Sequence, residues 1–121
     1  MPKPATKWYE IKNAAGSASA ELHIDGYIGG YENSFQQFRS DFGRLAKDEA
    51  LKIHICSGGG SIVHGNEIAN IILGHEGRID VTLGSICGSI ATVIACAGTT
   101  VTAAANTMYM VHNPSTCIDG D

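Results

Sequence analysis

In the stretch AELHIDGYIGG, Leu22 and Ile24 alternate with His23 and Asp25, a pattern that predicts a half-buried strand ending in glycine turn chemistry. The next stretch, NSFQQFRSDFGRLAKDEA, changes period. Phe35, Phe38, Phe42 and Leu45 recur at helical spacing, so a helix is predicted over 34–47 with this stripe against the sheet. LKIHIC, residues 51–56, is a second β-rich run, closed by the turn SGGG. Ile68, Ile71 and Ile72 then fall on one face of a helix over 64–73 that Gly74 and Gly77 stop. RIDVTLGSI, 78–86, reads as a strand, and GSIATVIACAG carries a helix of small and apolar residues from Ile90 to Ala97. NTMYMVHNP, 106–114, is a strand that Pro114 terminates. Strands and helices therefore alternate throughout. Such repeated crossovers call for a largely parallel sheet covered by helices, with right-handed connections.

Composition narrows this to a close-packed α/β domain, with 44% hydrophobic residues, 17% charged and fifteen glycines. No linker or internal repeat interrupts residues 1–121, which read as a single domain. A net charge of −4 without any Lys/Arg cluster removes the electrostatic footprint of a nucleic-acid or anionic-membrane binder, so neither partner is expected. The start, MPKPATKWYEIKN, has no apolar stretch behind its lysines and is not a signal peptide, and no apolar run approaches a membrane span. A cytoplasmic protein is expected. Cys56, Cys87, Cys96 and Cys117 form no CxxC and sit mainly in apolar segments, which points to reduced, buried thiols and to no metal or cofactor.

The glycines of CSGGGS stand at the carboxyl end of a strand, where open α/β sheets place their ligand sites. Phosphate binding fails on detail. Asn66 stands where a P-loop needs lysine, and Val63 where GxGxxG needs its last glycine. The backbone left without side chains suits either a tight turn or an oxyanion hole. Neither Ser85, in LGSIC, nor Ser89, in CGSIA, meets the GxSxG elbow. Ser85 ends a strand, whereas Ser89 opens the helix that follows, where N–H groups favour developing negative charge. The competing role for Ser89 is an ordinary N-cap, contributing about 1 kcal/mol. Five histidines offer a base. His23 and His54 are out of phase with apolar strand neighbours and face a helix layer, solvent or a partner; His64 and His75 flank a helix and read as surface. His112 closes the MYMVH strand before Asn113-Pro114, where side chains reach a cleft.

Taken in order, SGGGSIVHGNEIANII, GSIATVIACAG and MYMVHNP resemble the ClpP family of serine peptidases, most closely its phage branch, the ClpP-like prohead maturation proteases. That family shows S-P-G-G after a strand, then a helix, then a serine nine residues before an Ala-Gly pair, then a strand ending M-I-H-x-P. Ser57-Gly58-Gly59-Gly60 takes the first role, Ser89 lies nine residues before Gly98, and Met110-Val111-His112-Asn113-Pro114 takes the last. The similarity spans roughly residues 20 to 117. It implies a ClpP/crotonase-type β-α spiral, Ser89 as nucleophile and His112 as general base. It also implies an oxyanion hole from the backbone N–H groups of Gly59 and Ile90, and close backbone packing at Ser85, where the family usually has glycine.

Three departures stand out. Gly58 replaces the usual proline, and Ile86-Cys87-Gly88 the customary small run before the serine. The family's acidic triad member comes a few dozen residues after the histidine, whereas this chain ends nine residues after His112, and Asp119 and Asp121 are too early to match. The resemblance thus reads the domain as C-terminally truncated, with hydrolysis by the chain alone weak or absent, because losing the acid of a comparable triad costs about 10⁴-fold in kcat.

The activity implied is peptide hydrolysis through an acyl-enzyme, with a polypeptide substrate such as phage scaffold or capsid protein. The setting would be the cytoplasm of a bacterium or phage-infected host. A homo-oligomeric ring is implied too, covering apolar helix faces such as Ile71 and Ile72. Two other readings share the fold: a crotonase-type acyl-CoA enzyme, which uses paired backbone N–H groups but no serine nucleophile, and a non-catalytic assembly protein.

Overall fold

The computed structural model describes residues 8–12, 19–29 and 34–111; His112, Asn113, Pro114, Cys117, Asp119 and Asp121 lie outside the described residues. In chain order the elements are β1 (Tyr9–Lys12), β2 (Ser19–Ile28), α1 (Ser34–Phe42), β3 (Ala50–Gly60), α2 (Ile62–Leu73), β4 (Ile79–Gly88), α3 (Ile90–Ala95), β5 (Thr100–Ala103) and β6 (Met108–Met110). The predicted alternation of strand and helix is the frame of the molecule. β2, β3, β4 and β5 are neighbours in parallel, as crossover helices require, and β6 pairs with β4 beyond β5. Inward residues of the three central strands, among them Leu22, Ile24, Ile53, Ile55, Val81 and Leu83, form one core with Phe38, Ile68, Ile72 and Ile94 from the helices. Among the described residues, no helix is long and apolar enough to cross a membrane.

Two strands were absent from the sequence expectation. β1 adds antiparallel to β2, burying Trp8 and Tyr9 against Phe38. β5 pairs with residues 80–83 of β4 while exposed at every position, so no inward face marked it in the sequence.

Several boundaries also differ. α1 stops at Phe42, not at 47: Gly43 N–H bonds to Arg39 O at 2.9 Å and Leu45 N–H to Phe42 O at 3.1 Å, a tightening turn that still delivers Leu45 to the core. α2 begins earlier than 64, because Ser61 caps it, its Oγ accepting from His64 N–H at 3.3 Å. α3 ends at Ala95 and not Ala97, its final amides bonding three residues back, Ala97 N–H to Ile94 O and Gly98 N–H to Ala95 O. The SGGG segment is strand and not turn, since β3 runs through Gly60 with Tyr27 beside Gly59 and Ile28 beside Gly60. β4 likewise continues past Ile86 to Gly88.

Ile71 and Ile72 need no outside cover: Ile72 is fully buried and Ile71 packs against the core. Large exposed apolar side chains instead include Val101, Met108, Tyr109 and Val111, near the β5–β6 edge. His64 and His75, expected at the surface, are half-buried; His75 Nε2 lies 2.6 Å from Glu49 O. Of the described thiols Cys87 is buried, Cys56 is intermediate and Cys96 is exposed, so the expectation of burial fails at Cys96.

Candidate active site

The carboxyl ends of the parallel strands lose regular register in two places. Pairing of β2 with β3 slips between Asp25 and Tyr27, and that of β3 with β4 between Ile55 and Ser57. The first slip borders a cavity of about 400 Å³, lined by Gly26, Tyr27, Gly58, Gly59, Gly60, Ile62 and Ser89. A bulge is a common way to re-aim backbone at a site.

Ser89 stands where β4 passes into α3, with φ 53° and ψ −129°, and among the described residues it is the only non-glycine with positive φ. Such a backbone costs on the order of 1–3 kcal/mol and persists only where its surroundings impose it. Those surroundings are visible: Ser89 N–H bonds to Met110 O at 3.0 Å, and Ser89 O accepts from Thr92 N–H and, at 2.7 Å, from Thr92 Oγ1. The side chain makes no capping hydrogen bond. The N-cap role is therefore not what its hydroxyl performs, and the sharp strand-to-helix turn presents that hydroxyl to the cavity, as nucleophile elbows do.

Gly59, at φ 118°, packs against this side chain. A Cβ placed on it would lie 2.6 Å from Ser89 Cβ and 3.2 Å from Ser89 Oγ, so only glycine admits the approach. Gly59 N–H donates to Ser57 Oγ at 3.0 Å, and the Ser57 hydroxyl donates to Gly26 O at 2.6 Å. One buried hydroxyl thereby ties both irregular strands to each other beneath the cavity. Ile90 is buried, filling the space that Gly65 of α2 leaves empty; a Cβ at Gly65 would stand 2.3 Å from Ile90 Cγ1. The structure thus brings Ser89, Gly59 and Ile90 together, while His112 lies outside the described residues.

In the sequence Ser57 stands only as the head of the SGGG motif, with no role for its side chain, although a signal was there. It continues the inward phase of Leu51, Ile53 and Ile55, and a serine on a buried face must find partners. Ser57→Ala should cost about 1–3 kcal/mol by leaving the buried Gly59 N–H without its partner, measurable as a lower denaturant midpoint. Ser85 is exposed and away from the cavity lining; its hydroxyl meets Cys56 Sγ at 3.5 Å, and Gly84, not Ser85, makes the close approach to β3.

A largely parallel α/β sheet thus carries a strained serine at a strand-to-helix turn, packed on glycine backbone beside a cavity. A model of the Clp protease family matches residues 42–121, more than half of the chain, and the chain belongs to that family. Among solved structures, an Asn-to-Asp mutant of ClpP1 from Listeria monocytogenes superposes with a TM-score of 0.62 at 23% identity, covering 76% of this chain and 55% of that one. The ClpP protease catalytic domain from Plasmodium falciparum gives 0.62 at 24% identity, over 76% of this chain and 53% of that one. An enoyl-CoA hydratase from Shewanella pealeana also reaches 0.62, at 11% identity over 85% of this chain and 49% of that one. At these identities the structural likeness speaks for the fold, a ClpP/crotonase-like spiral. The chain spans about half the length of each of these proteins. No curated protein matches it.

Proposed function

We propose that this domain is a Clp-type serine endopeptidase whose nucleophile is Ser89. Its Oγ attacks the carbonyl carbon of an extended peptide, His112 takes the hydroxyl proton and passes it to the leaving amine, and water then hydrolyses the acyl-enzyme. The developing oxyanion is held by the backbone N–H groups of Ile90 and Gly59, the latter exchanging Ser57 Oγ for the substrate oxygen. Tyr27 and Ile62 offer apolar surface to the substrate beside the glycine backbone. The observation that carries this reading is the Ser89 backbone, strained, uncapped by its own side chain and packed on Gly59. No residue of this chain is assigned as the acid that orients His112.

The motif order SGGG, GSIATVIACAG and MYMVHNP supports a finer reading: a prohead-type peptidase acting on scaffold or capsid protein in the cytoplasm of a bacterium or phage-infected host, assembled as a homo-oligomeric ring and using no cofactor. A fluorophosphonate probe tests the core of the proposal. Covalent labelling mapped to Ser89 by peptide mass is the expected result. Absence of label from the folded protein would favour the acyl-CoA or the non-catalytic reading.

A further inference from the structure

Ser57 holds one of the amides that the peptidase reading assigns to the oxyanion. Its side chain is buried, and its hydroxyl has a single proton to give. That proton goes to Gly26 O at 2.6 Å in preference to Gly59 O at 3.2 Å, which leaves Oγ to accept from Gly59 N–H at 3.0 Å. Gly59 meanwhile turns its α-carbon to the nucleophile, since a Cβ there would stand 3.2 Å from Ser89 Oγ. The amide is thus engaged by a residue outside the cavity lining. Its direction is set by ψ of Gly58 and φ of Gly59, and neither residue carries a side chain that would oppose a rotation. We propose that Ser57 is a positioning residue that latches the oxyanion hole: the hole is closed while Oγ holds Gly59 N–H and opens when the 58–59 peptide rotates toward a substrate oxygen.

The inference rests on the peptidase reading and adds a regulation to the same site. A neutral substrate carbonyl is no better an acceptor than the Ser57 hydroxyl and leaves the latch shut. The oxyanion that develops on attack is a charged acceptor, and a hydrogen bond to it is roughly twice as strong as a neutral one. The latch therefore yields in the transition state and not in the ground state, so it bears on the rate of the chemical step more than on binding.

Ser57→Ala and Ser57→Thr are compared with the parent by the rate of fluorophosphonate labelling at Ser89. Removing the acceptor should raise the maximal labelling rate about fivefold, the factor that one neutral hydrogen bond contributes to an equilibrium, and leave the half-saturating probe concentration unchanged. Stability falls in the same variant. Rate and stability then move in opposite directions, which a purely structural role for Ser57 does not allow. Ser57→Thr returns the hydroxyl and should label at the parent rate. A measurement on the parent alone needs no variant to fold: once Ser89 is phosphonylated, the Gly59 amide proton should move downfield by NMR, because the phosphonyl oxygen replaces a weaker acceptor. An Ala variant labelled no faster than the parent, a Thr variant as fast as Ala, or a Gly59 amide unmoved by labelling overturns the proposal. No label on the parent overturns the peptidase reading itself, and this inference with it.

Discussion

Ser89→Ala is expected to abolish fluorophosphonate labelling and, in a protein in which the orienting acid completes the triad, to lower peptide hydrolysis about 10⁶-fold, the scale seen when the nucleophile of a serine triad is removed. Its stability should hardly change. The Oγ makes no capping bond, so the loss of about 1 kcal/mol that follows removal of a true N-cap is not expected. The two measurements together separate the roles: a nucleophile loses activity at constant unfolding free energy, whereas a cap loses stability. A variant that still turned over peptide at the parent rate would remove Ser89 from the mechanism. Ser85→Ala is the matched control, because its hydroxyl lies outside the cavity lining and, among the described residues, meets Cys56.

Gly59→Ala should have the second largest effect, acting on stability and reactivity at once. An L-residue at φ 118° costs about 1–3 kcal/mol, and the new methyl would sit 2.6 Å from Ser89 Cβ and 3.1 Å from Gly88 O. Relief requires β3 and the β4–α3 turn to separate, which adds an overpacking cost of about 1–3 kcal/mol. Denaturant unfolding should show the combined loss, and fluorophosphonate labelling of whatever remains folded should fall steeply, since the shift displaces the nucleophile from its glycine neighbour. Gly58→Ala is the informative contrast. A Cβ at Gly58 meets only Ile86 Cδ1, at 3.7 Å, an ordinary contact, and its stability should remain near that of the parent. Equal damage from the two substitutions would show that the segment resists any side chain, and that the approach of Gly59 to Ser89 is not special.

The alternation of Leu22 and Ile24, continued in Ile53 and Ile55, determined the central strands and their inward faces, because a side chain's face on a strand follows from its position alone. Helical spacing did the same for Phe38 and Phe42 in α1. The ordered motifs singled out Ser89, and with it the candidate nucleophile, without any coordinates. What the chain could not announce is whatever depends on how strands sit beside one another. Ser57 meets Gly26 and Cys56 meets Ser85 only because the parallel register slips at Asp25/Tyr27 and at Ile55/Ser57, and a period counted along one strand carries no information about its neighbour's offset. β5 was illegible for a related reason: an edge strand exposed at every position has no buried face to print a pattern. The hydroxyl of Ser89 could equally have capped a helix. Its backbone at φ 53°, held by Met110 O, Thr92 and the space left by Gly59, turned it toward the cavity, and that choice belongs to the tertiary structure.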